Sequence, residues 1–252
     1  MQNIFQSLHV EKTPCAYQLA SDYVPKKYFL VYYDNAQYQG YLLNKLIASV
    51  RAHSDFEVIV YQKSQIDRNF SETHKHILTQ PRGGGYWLWK PYIINDTLKK
   101  INYGDYLFYL DCKYYIYKDF SYLYKDIEQE NIIVWKNKPN EHSWFMKNWC
   151  KMDVIAQANM YETIFNNNKE DCWAGAVFCK KTDYTMDIIS QWLNLCVIPH
   201  NITDSPSLMQ NHHEFKEHRH DQSLLSVVLY KNNIQPKHMD NASIFNLRTP
   251  LH

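Results

Sequence analysis

The stretch from Arg82 to Asp111, RGGGYWLWKPYIINDTLKKINYGDYLFYLD, constrains the fold more than any other part of the sequence. Gly83, Gly84 and Gly85 admit backbone conformations closed to other residues and let a chain or ligand approach closely. Pro91 suits the first turn of a helix, where its missing N–H leaves nothing unpaired. Ile94, Leu98 and Ile101 recur at helical spacing and predict one buried face. Gly104 follows where a helix commonly stops. Tyr106-Leu107-Phe108-Tyr109-Leu110 is a continuous apolar run, the pattern of a strand covered on both faces. The expected class is therefore α/β, with a mainly parallel central sheet and helices on both faces. The run ends at Asp111, and a carboxylate at the carboxyl end of such a strand stands where open α/β sheets bind ligands.

The flanking sequence agrees. Tyr28 to Tyr33 is β-branched and aromatic and reads as a strand ending at Asp34. Leu42, Leu43, Leu46, Ile47 and Val50 trace a helix, and Phe56 to Tyr61 a second strand, which together make a βαβ unit. Residues 62–81 read as a polar helix or loop, with His74 and His76 in solvent. A strand is expected at Ile132–Trp135, one or two capping helices within 139–165, and a strand at Cys172–Cys179. Gly175 inside that last strand marks either close approach of a ligand or tight packing. A helix over Met186–Cys196 stops before Pro199, and a long polar loop, 200–217, leads to His218-Arg219-His220-Asp221-Gln222-Ser223. Leu224, Leu225 and Val228 then mark a final helix, for which Asp221 is the expected N-cap. No repeat or linker divides the chain, so residues 1–252 are expected to form one domain, with 1–26 an irregular lead-in and 231–252 a C-terminal segment.

Charge and composition narrow the function. A formal net charge of +1 argues against a nucleic-acid protein that depends on a basic field. Aromatic residues make up 15% of the chain, which suits surfaces that stack on sugars or bases as well as ordinary core. Six scattered cysteines form no CxxC pair and fit a reduced compartment better than a disulfide scaffold. No signal-like or membrane-length apolar run is present. The expectation is a cytoplasmic protein with at most peripheral membrane contact. The glycines are not preceded directly by a strand and no GK[ST] follows, so a P-loop is rejected.

The runs GYWLWKPYII and GDYLFYLD, with HRHDQS further on, resemble nucleotide-sugar glycosyltransferases of the GT-A fold, the small bacterial and viral polysaccharide-building kind. The resemblance is loose and spans roughly residues 27–230. It implies a hexosyl-type transfer from a nucleotide-diphosphate sugar, UDP-linked by preference, to a glycan or lipid-linked glycan. By the same resemblance, Tyr33 and Asp34 receive the base and ribose, and Asp111 carries the DxD position that holds Mn2+ or Mg2+. The second carboxylate of that motif is absent, since the sequence reads Asp111-Cys112-Lys113. His238 is the expected further metal ligand, with Lys90 and Lys113 an alternative source of positive charge. Ala174 and Gly175 are expected to line the sugar and acceptor pocket. Asp34 is equally a turn or cap residue.

Lys90 lies at a helix start directed at the strand ends, where the dipole and the ammonium both favour a diphosphate. Trp87 and Trp89 suit stacking on base or sugar, or core packing. The Asp221-Gln222 pair resembles the DQD motif of glycogenin-like retaining enzymes, with Ser223 in place of the second Asp. Asp221 is the first candidate for the catalytic carboxylate or base and His220 the second, while Gln222 offers an amide to the sugar. Two other classes remain: a metal-dependent hydrolase using the His-rich segment 212–221, and a non-catalytic sugar- or nucleotide-binding module.

Overall fold

A computed structural model describes residues 22–34, 37–137, 144–238 and 245–247. Of the expected lead-in and C-terminal segment, residues 1–21, 239–244 and 248–252 lie outside these. Five strands form the central sheet: β1 (Lys27–Tyr33), β2 (Glu57–Gln62), β3 (Tyr106–Leu110), β5 (Ile132–Lys136) and β6 (Cys172–Lys180). Their order is β2-β1-β3-β6-β5, and β4 (Tyr114–Ile116) pairs separately with β7 (Phe245–Leu247). The longer helices are α1 (Gln37–His53), α2 (Trp89–Lys100), α3 (Leu123–Glu130), α4 (Asp183–Cys196) and α5 (Asp221–Lys231).

β1 pairs in parallel with both β2 and β3. β6 is antiparallel to both β3 and β5, so four strands share one direction and β6 alone opposes it. The apolar run of β6 predicts burial on both faces but carries no information on direction. Its reversal brings the middle of β6 beside the end of β3, where the Asp111 amide donates to the Gly175 carbonyl at 2.8 Å, and carries the start of β6 past that end.

Alternation along each strand divides the core in two. Leu30, Tyr32, Leu107, Tyr109, Val134, Ala174 and Val177 pack on α2, α4 and α5 through Ile94, Leu98, Trp192 and Leu225. Phe29, Val31, Phe108, Leu110, Trp135, Ala176 and Phe178 pack on α1 and α3 through Leu46, Val50 and Ile127. Helices thus cover both faces, which explains the unbroken apolar runs of β3 and β6.

The glycine stretch forms a turn of the opposite hand. Gly83, Gly84, Gly85, Tyr86 and Trp87 have φ of 60°, 58°, 101°, 51° and 60°. Tyr86 N–H donates to Arg82 O at 2.7 Å and Trp87 N–H to Gly83 O at 3.3 Å, a left-handed helical turn. Glycine enters this region freely, while each L-residue there costs roughly 1–2 kcal/mol. The turn reverses the chain so that α2 begins at Trp89 with its N-terminus at the carboxyl edge of the sheet.

Candidate active site

Lys90, Asp111 and Asp221 meet at that edge. Lys90 comes from the first turn of α2, Asp111 directly follows β3, and Asp221 opens α5. The ammonium lies 3.4 Å from Asp111 Oδ1 and 3.2 Å from Asp221 Oδ2, and Lys90 is only 3% exposed. Asp221 Oδ2 forms no well-directed hydrogen bond, so its link to Lys90 is an ion pair. Burial works against the charge on Lys90, but Asp111 and Asp221 together hold its pKa above the ordinary value. Burial pushes the Asp221 carboxyl up to about 6 against the opposing pull of Lys90. Tyr109 OH donates to Asp111 Oδ1 at 2.6 Å, and Trp192 Nε1 donates to the Asp221 carbonyl at 2.8 Å.

Two expectations change here. The sequence points to Lys90 as an open diphosphate ligand, but its ammonium is enclosed and committed to two carboxylates. It also points to Asp221 as an N-cap, but Asp221 is the first helical residue of α5, and His220 holds the cap position with φ 53° and ψ −126°. The cap therefore does not explain why an acidic residue stands at 221.

The end of β1 reaches the same place. β1 and β3 are neighbours, and Asp111 and Asp34 both act, after burial itself, to raise the Cys112 thiol pKa to about 11. Tyr33 and Asp34 are half-buried at this edge. Trp89 packs into the core, its ring stacked 3.9 Å from that of Tyr32, while half-buried Trp87 stacks on His220 at 5.5 Å. His220 is 2% exposed, and its Nδ1 meets the Ile202 carbonyl at 2.7 Å. A carbonyl only accepts, so Nδ1 carries the proton and Nε2 the lone pair. Burial lowers the His220 pKa, favouring this neutral form. Ala174 is buried in the core, and a Cβ on Gly175 would come within 2.3 Å of the Trp173 indole, so tight packing accounts for that glycine.

The expected metal ligands separate. His238 is exposed beyond edge strand β5, with Nε2 3.4 Å from Lys136 Nζ, and β6 intervenes between β5 and β3. Asp111 fits a hard cation: its Oδ1 serves Tyr109 and Lys90, and among the described residues Oδ2 remains. With Lys90, Asp111 and Asp221 sum to one negative charge. The His-rich segment also divides, because His218 and His220 are buried, whereas His212, His213 and Glu214 bring ligating atoms within 4.8 Å of one another at the surface. That separation removes the single metal set on which the hydrolase reading rested.

Several residues here had no sequence signal. Asp171, fully buried just before β6, accepts from Gln222 Nε2 at 2.7 Å and Ser226 Oγ at 2.6 Å. Arg82 joins the glycine turn to the loop after α4, pairing with Asp204 at 3.0 Å and Glu217 at 3.1 Å. The Lys151 ammonium anchors that loop through the carbonyls of His200 and Thr203 at 2.9 and 2.8 Å.

No protein-family model and no curated protein sequence matches the chain. Among solved structures it is similar to mouse xyloside xylosyltransferase 1, with 8% identity, 85% of each chain covered and a TM-score of 0.49. It is also similar to the bifunctional glycosyltransferase WbbM, with 11% identity over 86% of this chain and a TM-score of 0.48. For the glycosyltransferase GlyE of Streptococcus pneumoniae the figures are 14%, 86% and 0.45. The chain spans 40% of the length of WbbM and 45% of that of GlyE.

Proposed function

We propose that the protein transfers a hexosyl group from a nucleotide-diphosphate sugar to a hydroxyl of a glycan or lipid-linked glycan. The observation that carries this reading is the Asp111–Lys90–Asp221 constellation at the carboxyl edge of the sheet, with Asp34 just past the end of the adjoining strand. Ligands of open α/β sheets bind at this edge. Tyr33 and Asp34 are the residues for base and ribose, a uridine by preference, and Gln222 faces the sugar. Ala174 and Gly175 act behind the site, the Gly175 carbonyl accepting from the Asp111 amide.

A divalent cation, Mn2+ or Mg2+, would be held by Asp111 and would offset the charge that develops on the departing diphosphate. Lys90 acts indirectly, pairing with both carboxylates and holding them in place. In inverting transfer Asp221 takes the proton of the acceptor hydroxyl. The oxygen bonds to the anomeric carbon, and the bond to phosphate breaks with its electrons leaving on the nucleoside diphosphate. His220, with its lone pair on Nε2, is the second candidate for that proton. In retaining transfer Asp221 holds donor hydroxyls and steadies positive charge at the anomeric carbon. A carboxyl pKa of about 6 suits a base working near neutrality. The scattered cysteines favour a cytoplasmic setting with at most peripheral membrane contact.

A thermal-shift panel of UDP-, GDP-, dTDP- and CMP-sugars, with and without Mn2+, tests the reading. Stabilisation by at least one sugar nucleotide is expected. Silence from all of them, together with hydrolysis of simple phosphate esters, overturns it in favour of a hydrolase.

A further inference from the structure

Asp171 is a buried carboxylate at the site edge for which the transfer reaction gives no account. It is 0% exposed and precedes β6, whose reversed direction brings it to the site edge. It cannot reach a substrate, yet both its oxygens are occupied by side chains of the first turns of α5. Gln222 Nε2 donates to Oδ2 at 2.7 Å and Ser226 Oγ to Oδ1 at 2.6 Å. Ser226 Oγ in turn accepts from the Cys172 amide at 2.8 Å, which closes a ring joining the strand to the helix. Burial raises the Asp171 pKa above the ordinary carboxyl value, the hydrogen bonds from Ser226 and Gln222 and the charge of Arg219 oppose that rise, and Asp221 adds to it.

This arrangement decides which end of the Gln222 amide faces outward. Above its raised pKa of about 7 Asp171 is ionised and only accepts, so it selects the NH2 group and turns Oε1 away. Gln222 is half-buried between buried Asp221 and Ser223, and among the described residues no donor meets its Oε1. We propose that Asp171 is a positioning residue that fixes the Gln222 amide so that Oε1 is presented as a hydrogen-bond acceptor to a hydroxyl of the donor sugar. The proposal rests on the glycosyl-transfer reading.

Exchanging the polarity of the pair provides the test. The side-chain amide introduced by Asp171→Asn meets Gln222 through either its oxygen or its NH2, so the Gln222 amide is no longer held with Oε1 outward. In Asp171→Asn/Gln222→Glu, that introduced amide again has an inward acceptor, and the second carboxylate oxygen faces outward. Calorimetry at pH 8, where Asp171 is ionised, compares the best-binding sugar nucleotide of the panel with its sugar-free nucleotide. Asp171→Asn should weaken the sugar nucleotide by up to about tenfold, the loss of one hydrogen bond, and leave the free nucleotide unchanged, with the double variant restoring binding. Gln222→Met, which keeps the buried carboxylate, should show the same sugar-specific loss even if Asp171→Asn fails to fold. Unchanged sugar affinity in the variants, equal weakening of both ligands, or no restoration in the double variant overturns the role of Asp171. Failure of the unaltered protein to bind any sugar nucleotide overturns the glycosyl-transfer reading and this inference together.

Discussion

The Lys90 ammonium stands 3.2 Å from the Asp221 carboxylate, although 131 positions separate them in sequence and both side chains are almost wholly enclosed. Removing one member of such a group leaves charge buried without compensation, at a cost of roughly 3–5 kcal/mol. Lys90→Met is therefore expected to lose about 3 kcal/mol of stability at pH 8 by chemical denaturation. The loss should shrink at pH 5, because Asp221, with a pKa of about 6, is then already neutral. A variant as stable as the parent at pH 8 would mean that Lys90 is an open ligand and not a clamp.

Asp221→Asn keeps the shape of the side chain and removes its charge. Turnover should fall at least about a hundredfold, as for loss of a general base. In the parent the rate should drop as pH falls through about 6, where the Asp221 carboxylate takes up its proton, and this limb should vanish in the variant. Near-normal turnover would assign the base to His220.

The left-handed turn gives a graded prediction. A Cβ on Gly85, at φ 101°, would come within 2.6 Å of the Leu78 Cα, which is backbone and cannot swing aside. A Cβ on Gly84, at φ 58°, would find its nearest neighbour at 3.8 Å. Gly84→Ala should cost only the strain of the conformation, about 1–2 kcal/mol. Gly85→Ala should cost clearly more, read as a larger fall in melting temperature.

Asp171 should also mark the pH dependence of stability. Burial, its leading influence, raises its pKa from 3.8 to about 7. The folded state thus favours the protonated form, and the associated stability is present below about 4 and lost as pH rises through 7, by up to roughly 4 kcal/mol. Asp171→Asn should flatten the fall in melting temperature between pH 4 and pH 7. An identical slope in parent and variant would show that Asp171 keeps an ordinary carboxyl pKa.

The elements that carry this site were legible where local pattern determines them. The apolar run of β3, the stripe of α1 and the helix after Pro91 follow from periodicity and punctuation, and Asp111 stood out because it ends a buried run. The direction of β6 was not legible, since a strand buried on both faces has the same pattern whichever way it runs. The glycines predicted a special turn, but nothing in Tyr86 or Trp87 announced that they share its hand. Asp171 sits in the polar stretch NNNKED, which reads as solvated loop, and its burial depends on Gln222 and Ser226 half a hundred residues later. Lys90 was picked out for its helix terminus, whereas its partners are set by tertiary packing alone.

The place of β6 between β3 and β5 also orders events during synthesis. Until residue 172 has been made, β3 has a partner only on its β1 side, and its other edge is an open ladder of backbone groups flanked by tyrosine, leucine and phenylalanine. Open apolar edges recruit other chains. A nascent or truncated chain ending short of that point should be prone to self-association, and closure of that edge is the same event that places Asp171 for Gln222 and Ser226.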